Sequence, residues 1–380
     1  MKTVLYVCAS SAYFINHHLH LAAAGGDVLA HAALALDDEG DRKIVEDRGV
    51  RVYGLNLARK SLNPLRVLGE ARALRRIVKM VGPDLVNPIA LKSVLVALMA
   101  AAGLACGVVA SITGLGYLFA GNAMGRVFPR VLIMTALTAL LRRIRHILVF
   151  SNPADRDIFL ARRVTARERM RIVPIPGVDT DEFACAPEPD SGFRVVLPAR
   201  MLWEKGVAEF VEAAVMLKRE IPGAEFILAG RPDPGNPESI VEEQLREWSA
   251  AGSVSWIGHC GQMPKLLASC HVVCLPSYYR EGFPMVLVEA MACGRPVVTT
   301  DAPGCRDVLA GTEAGLLVPP RDAAALARAL KGLYQAPAAR LEMGRRGRRK
   351  VEKELSREKI TGDMLDIFEQ VNIERAGARH

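Results

Sequence analysis

Apolar runs alternate with amphipathic stretches along the whole of this chain. Short apolar runs such as "KTVLYVCAS" and "DLVNPIA" predict buried strands, and "PLRVLGEARALRRIVKMVGP" predicts an amphipathic helix that ends at Gly-Pro. The run from residue 94 to 112 approaches the length of a membrane span, but its two glycines and β-branched end favour a buried helix followed by a buried strand. Strands that alternate with helices indicate parallel sheets with covered faces.

A second series of the same kind begins near residue 191. Strand patterns such as "FRVVLPA", "AEFILAG" and "VVCLPS" alternate there with helical patterns such as "GVAEFVEAAVMLKREIPG". A proline-rich joint, "VPIPGVDTDEFACAPEPD", separates the two series. We therefore predict an α/β protein of two Rossmann-like, doubly wound domains, residues 1–180 and 181–356, that face each other across a cleft.

Two carboxylates stand out in the second series, within "SYYREGFPMVLVEAMACGRPVV". Glu281 follows a predicted strand, at the sheet edge where open α/β sheets bind ligands, and Glu289 lies eight residues on in an apolar helix. Pro284 suits the first helical turn, and Gly282 lets the backbone approach a ligand or turn sharply. Helical rise would separate the two acids by roughly 12 Å.

This arrangement suits a ligand with a diphosphate between two sugars. A helix N-terminus attracts phosphate through its free N–H groups and its dipole, and a carboxylate accepts hydrogen bonds from sugar hydroxyls. Glu281 would hold one sugar and Glu289 the other. The alternative is that Glu281 is solvated and that Glu289 pairs with a nearby Lys or Arg, because an unpaired buried carboxylate is costly.

Positive charge supports the same interpretation. Arg200 and Lys205, in "LPARMLWEKGVAEF", stand between a predicted strand and a helix, where two cations can neutralise a diphosphate. The net charge of +8 also favours an anionic partner. Nucleic acid is not expected, because the chain has no nucleic-acid-binding signature and no long basic run. For this pair, ordinary surface charges on a loop remain the alternative.

Loops of the first domain supply candidate contacts for a second substrate. Asn16 and His17 follow the first strand, and Lys92 in "IALKSV" can meet a phosphate, although all three can also be ordinary helix residues. The histidines at positions 17, 18 and 20 scatter around a helix, so we expect no metal site. We also expect no cofactor, since the chain has no glycine-rich dinucleotide fingerprint and no Walker loop. The eight scattered cysteines are typical of a reduced, cytosolic protein.

At these residues the chain resembles the retaining glycosyltransferases of family 4, which have the GT-B fold. The matching pieces include "ARMLWEKGV", "FILAG", "VVCLPSYYREGFPMVLVEAMACGRPVVTTD" and "GLLVPPRDAAALA", and they cover most of residues 193–330. The resemblance implies that Glu281 contacts the donor sugar and that Glu289 contacts the nucleotide ribose. It also implies that Arg200 and Lys205 hold the diphosphate.

The resemblance carries further expectations. The backbone of Gly282, Phe283 and Pro284 would lie against the diphosphate of the donor, and the final helix, residues 357–380, would pack back on the first domain. The pieces "KSLNPLRVL", "ALKS" and "TGLGYLF" look like a narrower group, bacterial enzymes that add an N-acetylhexosamine to a polyprenyl-diphosphate-linked sugar. This group implies a UDP-linked donor, such as one carrying N-acetylgalactosamine. One departure is "SITGLGYLF", where many family members carry a histidine, so we assign no catalytic histidine.

The stretch Gly125–Phe150 mixes apolar residues with five arginines. It predicts a basic amphipathic segment that lies on an anionic membrane surface, which fits a lipid-linked acceptor. The alternative is an interior helix with a basic, solvent-facing side. We therefore expect a cytoplasmic protein held peripherally at the inner face of the plasma membrane.

Two other functions remain open at this level. A nucleotide-sugar 2-epimerase of the same fold would need acids and a histidine placed for proton transfer at C2, and the forms "WEKG" and "EGFPMVLVEA" favour transfer instead. A non-catalytic partner that binds glycans or nucleotides is the second alternative. The intact set of Arg200, Lys205, Glu281 and Glu289 argues against it.

Overall fold

The computed structural model describes residues 3–26, 28–58, 61, 63–115 and 127–377 of the chain. The chain divides into two compact units, Met1–Pro176 with Ile360–His380, and Gly177–Lys359. Each unit contains one parallel sheet with apolar clusters on its two faces. The prediction of an α/β protein with two Rossmann-like domains is therefore confirmed.

The first unit is built on seven strands. These are β1 (Thr3–Cys8), β2 (Leu29–Leu34), β3 (Arg51–Gly54), β4 (Leu85–Pro88), β5 (Gly107–Ile112), β6 (His146–Phe150) and β7 (Met170–Ile172). The helices are α1 (Ser11–His17), α2 (Leu19–Ala23), α3 (Glu39–Glu46), α4 (Pro64–Val81), α5 (Leu91–Ala101), α6 (Val127–Leu141) and α7 (Pro153–Ala161). The strand order is β3-β2-β1-β4-β5-β6-β7, and all neighbours are parallel.

Local signals set the ends of the helices that the pattern predicts. The Asn63 side chain accepts hydrogen bonds from the backbone of Leu65 and Arg66 at the start of α4. Gly82 ends α4 in the left-handed conformation, with φ of 60°, which glycine adopts without strain. The run from residue 94 to 112 forms the buried part of α5 and then the buried β5, as predicted.

The helical region after β1 begins earlier than the pattern indicates. The stretch "HHLHLAAAGG" predicts a helix from the histidines onward, but α1 begins at Ser11, with the Ser10 side chain as its cap. The path then breaks at His18, between α1 and α2. His18 is fully buried, both of its ring nitrogens lack a hydrogen-bond partner among the described residues, and burial lowers its pKa well below the usual value. The break between α1 and α2 therefore coincides with a neutral histidine in the core.

The stretch Gly125–Phe150 does not form the single amphipathic segment that the sequence predicts. Its described part forms α6, a short turn and β6, and all five residues of β6 are buried in the sheet. The apolar character of the second half therefore reflects a core strand. Within the described part of the chain, no helix is both long and apolar enough to cross a membrane.

The outward side of α6 is nevertheless apolar. Val131 and Leu132 are more than half exposed, while Ile133 and Leu137 pack into the core. Arg142 and Arg143 follow the helix and are exposed. Of the predicted segment, the structure therefore retains a short exposed apolar surface on α6 and two exposed arginines after the helix.

The final helix, α15 (Arg357–Gly377), completes the core of the first unit. The Phe368 ring is fully buried, with its centroid 6.3 Å from that of Tyr6. Gly107 makes room for Val371, because a Cβ atom at this glycine would lie 2.4 Å from the valine side chain. The Arg145 guanidinium donates to the Val371 carbonyl. Two segments that are distant in the sequence therefore build this core.

The second unit is built on six strands. These are β8 (Phe193–Pro198), β9 (Ala224–Ala229), β10 (Ser255–Trp256), β11 (Val272–Leu275), β12 (Val297–Thr300) and β13 (Gly315–Val318). The helices are α8 (Val207–Glu220), α9 (Glu242–Ala250), α10 (Met263–Ala268), α11 (Met285–Ala292), α12 (Cys305–Leu309), α13 (Ala323–Gln335) and α14 (Pro337–Lys350). The strand order is β10-β9-β8-β11-β12-β13, again parallel throughout.

Buried arginines attach the joint segment, residues 177–190, to the second unit. Arg340 makes two 2.8 Å bonds to the Glu188 carboxylate, and both side chains are nearly buried. Arg295 is 1% exposed and donates to three backbone carbonyls, two of them in the joint. Buried charges are tolerated when such bonds satisfy them. The boundary between the units accordingly falls at Gly177, and the predicted boundary was residue 180.

Candidate active site

Loops at the carboxyl ends of four adjacent strands in the second unit pack backbone against backbone. They follow β9, β8, β11 and β12, which are neighbours in the sheet. A Cβ atom at Gly230, after β9, would lie 1.8 Å from a carbonyl oxygen in the loop after β8. One at Gly206 would lie 2.1 Å from the Pro276 oxygen, and one at Gly304 would lie 2.4 Å from the Glu281 oxygen. Only glycine permits these approaches, so the four loops form one surface.

Two of the predicted site residues meet on this surface. The Lys205 ammonium lies 2.5 Å from a carboxylate oxygen of Glu281, and the same oxygen accepts a 2.8 Å hydrogen bond from the Ser277 hydroxyl. The two charged side chains are 13% and 11% exposed. An ion pair this buried needs good geometry and additional hydrogen bonds to offset its desolvation, and Ser277 supplies one. Glu281 is therefore not a solvated loop residue.

Arg200 lies on the same surface and pairs with an acid that the sequence pattern does not single out. Its Nη1 atom donates to Oδ2 of Asp233 at 2.6 Å, and neither side chain is buried. Both residues line a pocket of about 500 Å³. The other lining residues include Gly230, Arg231, His259, Cys260, Val286 and Glu289.

Glu289 reaches this pocket from α11. Burial raises its pKa from 4.5 to about 7, and the nearby Glu182 carboxylate adds to the rise. Among the described residues, its side chain forms no ion pair and no hydrogen bond. The alternative in which Glu289 pairs with a Lys or Arg therefore does not hold. Its carboxyl group is available to hydroxyl groups of a ligand in the pocket.

The segment between the two acids differs from the prediction in one respect. Pro284 is the residue before α11 and lies outside its first turn, because the helix begins at Met285. Residues 281–284, which include Gly282, form a loop, so the helical estimate of roughly 12 Å between the acids does not apply. Phe283 packs against the apolar cluster below this loop. The loop therefore leads directly into the N-terminus of α11.

Lys92, in the first unit, does not present a free ammonium group. It lies 3.0 Å from a carboxylate oxygen of Glu70 and donates to the Ala58 carbonyl, with only 10% of its side chain exposed. These bonds fix the loop after β3 against α4 and α5. The expected contact between Lys92 and an acceptor phosphate stays a prediction, because these two partners leave one of the three ammonium donors for it.

Asn16 and His17 lie on α1, and their expected acceptor contacts stay predictions. Asn16 is exposed, and His17 is partly buried with its ring 4.5 Å from that of Tyr13. Burial lowers the pKa of His17, which favours its neutral form. Within the described ranges, no three metal-ligating side chains form a cluster.

Sequence reasoning misses several residues that line the pocket. Arg231 and Asp233 follow β9, and His259 and Cys260 follow β10. The signal that could have found them is topological, because ligands of parallel sheets bind where loops from the carboxyl ends of neighbouring strands meet. Both strands are present in the pattern, but the strand order β10-β9-β8 is not.

The raised pKa of Glu289 predicts a pH-dependent stability. Between about pH 4.5 and pH 7 the folded protein binds the proton more tightly than the unfolded chain, so the free energy of unfolding should fall as the pH rises through this window. Glu289→Gln cannot ionise and should remove this loss, on the order of 2 kcal/mol. Chemical denaturation of both proteins at about pH 5 and pH 8 measures the effect. Equal pH dependence in the two proteins would contradict the assignment.

The backbone contact at Gly304 predicts a position-specific cost of adding one methyl group. Gly304→Ala should destabilise the protein by about 1–3 kcal/mol more than Gly252→Ala, because only the former brings a Cβ atom against Glu281. Both glycines have a positive φ, 84° and 78°, but the ψ of Gly304 is −49°, outside the left-handed helical region, so the extra loss at Gly304 combines backbone strain with the close contact. Thermal unfolding compares them directly. Equal losses would show that the close approach at Gly304 is not needed.

Comparisons with known proteins agree with this architecture. Residues 179–350 match the family model described as "Glycosyl transferases group 1". A relative from Campylobacter jejuni, N,N'-diacetylbacillosaminyl-diphospho-undecaprenol alpha-1,3-N-acetylgalactosaminyltransferase, is 28% identical over 322 residues, 81% of this chain and 82% of that protein. The phosphatidyl-myo-inositol mannosyltransferase of Mycolicibacterium smegmatis is 38% identical over 173 residues, 43% of each chain.

The crystal structure of Anabaena HepE in complex with UDP has a TM-score of 0.76 at 18% identity and covers 97% of this chain and 100% of that one. This likeness concerns the fold, which is that of the GT-B glycosyltransferases. The matched segment falls entirely within the second unit, where the four loops and the pocket lie. Residues 179–350 are therefore similar to the glycosyl transferases group 1 family, in a chain with the two-domain GT-B fold.

Proposed function

We propose that this protein transfers a sugar, with retention of configuration, from a UDP-N-acetylhexosamine to a saccharide linked to a polyprenyl diphosphate. The observation that carries the proposal is that the Lys205–Glu281 pair, and the pocket lined by Arg200 and Glu289, both lie at the carboxyl ends of adjacent strands. Cations suited to a diphosphate and acids suited to hydroxyl groups lie together there. The matching family model and the two relatives named above support glycosyl transfer.

In this proposal the second unit binds the donor. Arg200 and Lys205 contact the diphosphate, and the loop of residues 281–284 brings it to the N-terminus of α11. Lys205 can bond a phosphate oxygen without leaving Glu281, because an ammonium group has three donors. Glu289 accepts hydrogen bonds from the ribose hydroxyls, and Glu281 accepts them from the transferred sugar.

The proposed reaction is a displacement on one face of the sugar. The bond between the anomeric carbon and the diphosphate oxygen breaks, and its electron pair leaves with UDP. The acceptor hydroxyl oxygen bonds to the same carbon from the same face, and its proton passes to the departing phosphate oxygen. The arginine, the lysine and the helix N-terminus stabilise the charge that develops on the leaving group. No metal or cofactor enters this scheme.

The acceptor is proposed from a sequence similarity that extends along most of the chain. The relative that spans 81% of this chain is named as an N-acetylgalactosaminyltransferase acting on a diphospho-undecaprenol-linked sugar. The alignment extends well beyond the 172 residues of the donor domain, from 179 to 350, and therefore includes parts of the first unit. We accordingly infer that the first unit binds a lipid-linked saccharide.

A lipid-linked acceptor would place the protein at the inner face of the plasma membrane. The exposed Val131 and Leu132 near the start of α6, and Arg142 and Arg143 after its end, offer apolar contact and positive charge along one helix of the first unit. Each basic residue near an anionic bilayer contributes about 1 kcal/mol at low ionic strength. We propose peripheral binding through this surface.

Transfer is preferred to the two alternatives. The relatives named above are transferases, and neither is an epimerase. The presence of Arg200, Lys205, Glu281 and Glu289 together argues against a non-catalytic partner. Turnover of a nucleotide sugar only when a lipid-linked acceptor is present would distinguish transfer from both.

The donor site predicts separate effects for its cations and its acids. Arg200→Ala or Lys205→Ala should weaken UDP binding and lower turnover of UDP-N-acetylgalactosamine by at least about tenfold, which corresponds to about 1.4 kcal/mol. Glu289→Ala should weaken UDP binding, because it removes a ribose contact. Glu281→Gln, which can keep the bonds to Ser277 and Lys205, should spare UDP binding and impair transfer. Calorimetry with UDP and an acceptor-dependent transfer assay measure these effects.

An exposed cation on the same unit provides the control for the donor site. Arg219→Ala, near the end of α8, should leave UDP binding and turnover unchanged. Normal donor kinetics in both Arg200→Ala and Lys205→Ala would contradict the diphosphate site. Equal losses of UDP binding in the Glu289 and Glu281 variants would contradict the division between ribose and sugar contacts.

The membrane surface predicts a loss confined to lipid substrates. Replacing Arg142 and Arg143 with Ser should lower binding to anionic liposomes and activity on a lipid-linked acceptor, and should spare a soluble acceptor analogue. Arg145 is kept in this variant because it bonds the Val371 carbonyl. The control replaces Arg219 and Arg328, two exposed cations of the second unit, and should change neither property. Equal losses on both acceptors would mean that the two arginines support the fold or the active site.

A further inference from the structure

The ion pair between Arg200 and Asp233 has no evident role in stability. The two side chains are 59% and 35% exposed, although their atoms lie only 2.6 Å apart. Exposed ion pairs add little to the free energy of unfolding, because solvent screens the attraction and ordering two side chains costs entropy. The pair lies in the pocket that Glu289 also lines, so a role in ligand binding is the better explanation.

Asp233 is held in place by its backbone. Its N–H donates to the Ser239 hydroxyl at 2.9 Å, and its carbonyl accepts from Asn236 at 2.8 Å, which closes a tight turn. Asp233 is therefore a fixed partner, and Arg200, with the more exposed side chain, is the member of the pair that can move.

The loop that carries Asp233 also runs along the loop that carries Arg200. The Met201 N–H donates to the Arg231 carbonyl at 3.0 Å, and the Trp203 N–H donates to the Glu238 carbonyl at 2.9 Å. These bonds hold the carboxylate opposite the strand end from which the guanidinium extends. The backbone hydrogen bonds between the two loops therefore set the geometry of the pair.

A diphosphate would compete with this carboxylate. Both groups are anions that bind a guanidinium through charge-assisted hydrogen bonds, but a diphosphate carries more charge and more acceptor oxygens. The second cation of the site differs, because Lys205 is nearly buried with Glu281 and Ser277. Opening the pair between Lys205 and Glu281 would leave a nearly buried charge without its partner, which is strongly unfavourable. The more exposed Arg200 can exchange the Asp233 carboxylate for a phosphate with little change in free energy.

We propose that Asp233 is an internal competitor for Arg200: it neutralises the guanidinium when no nucleotide is bound and yields it to the diphosphate when a nucleotide binds. This inference rests on the proposed function, because it assumes that Arg200 contacts the diphosphate. Asp233 then weakens nucleotide binding and speeds release of the UDP product. A site with Asn at this position would hold UDP longer.

The test measures UDP binding to Asp233→Asn. The amide keeps the backbone bonds of the turn and the approximate shape, but it no longer neutralises Arg200. The dissociation constant for UDP should fall about three- to fivefold, in the range of an exposed ion pair, and the dissociation rate should fall with it. Uridine, which has no phosphate, should bind both proteins equally. Thermal unfolding should also be unchanged.

Two further variants separate pairing from general charge. Glu238→Gln removes the same charge from the same loop at an exposed side chain that forms no ion pair among the described residues, and UDP affinity should change much less. In an Arg200→Ala background, Asp233→Asn should no longer tighten UDP binding, because the guanidinium for which Asp233 competes is absent.

The outcomes separate this inference from the proposed function. If Arg200→Ala weakens UDP binding but Asp233→Asn does not tighten it, Asp233 orients Arg200 or is neutral, and the competitor role is wrong. If Glu238→Gln tightens UDP binding as much as Asp233→Asn, the effect is long-range charge, which also overturns it. If Arg200→Ala leaves UDP binding intact, the diphosphate is not at Arg200 and the donor site itself is wrong.

Discussion

The site of the second unit depends on backbone contacts that leave no room for a Cβ atom. At Gly206, Gly230 and Gly304, loops from adjacent strands approach so closely that a methyl group would lie 2.4 Å or less from a carbonyl oxygen. The loops after β8, β9, β11 and β12 are thereby fixed relative to one another. Every charged group of the site is carried by one of these loops or by the helix that follows it, so its position follows from this packing.

The charges of the site are balanced in two different ways. Lys205 and Glu281 form a nearly buried pair with Ser277 as a third partner, which fixes both groups. Arg200 and Asp233 form an accessible pair that can be exchanged for little free energy. Glu289 has no cationic partner among the described residues, and burial raises its pKa to about 7. The site therefore has one fixed ion pair, one exchangeable ion pair and one available carboxyl group. Together they suit a ligand that carries both a diphosphate and sugar hydroxyls.

Much of the fold and part of the site can be predicted from the sequence. Buried strands and amphipathic helices have distinct periods, so the two α/β series are visible, and the acids stand out because apolar residues surround them. The pairing of Lys205 with Glu281, 76 positions apart, depends on β8 lying next to β11 and is not visible in the pattern. Asp233 and His259 are missed for the same reason. The stretch Gly125–Phe150 is misread because a core strand and an exposed apolar helix side look alike in composition.

A crystal structure of the protein with UDP tests the central claim most directly. The account predicts phosphate oxygens within hydrogen-bond distance of Arg200 and Lys205, ribose hydroxyls on Glu289, and an Arg200 guanidinium that has left Asp233. UDP bound with its phosphates away from both cations would contradict the account.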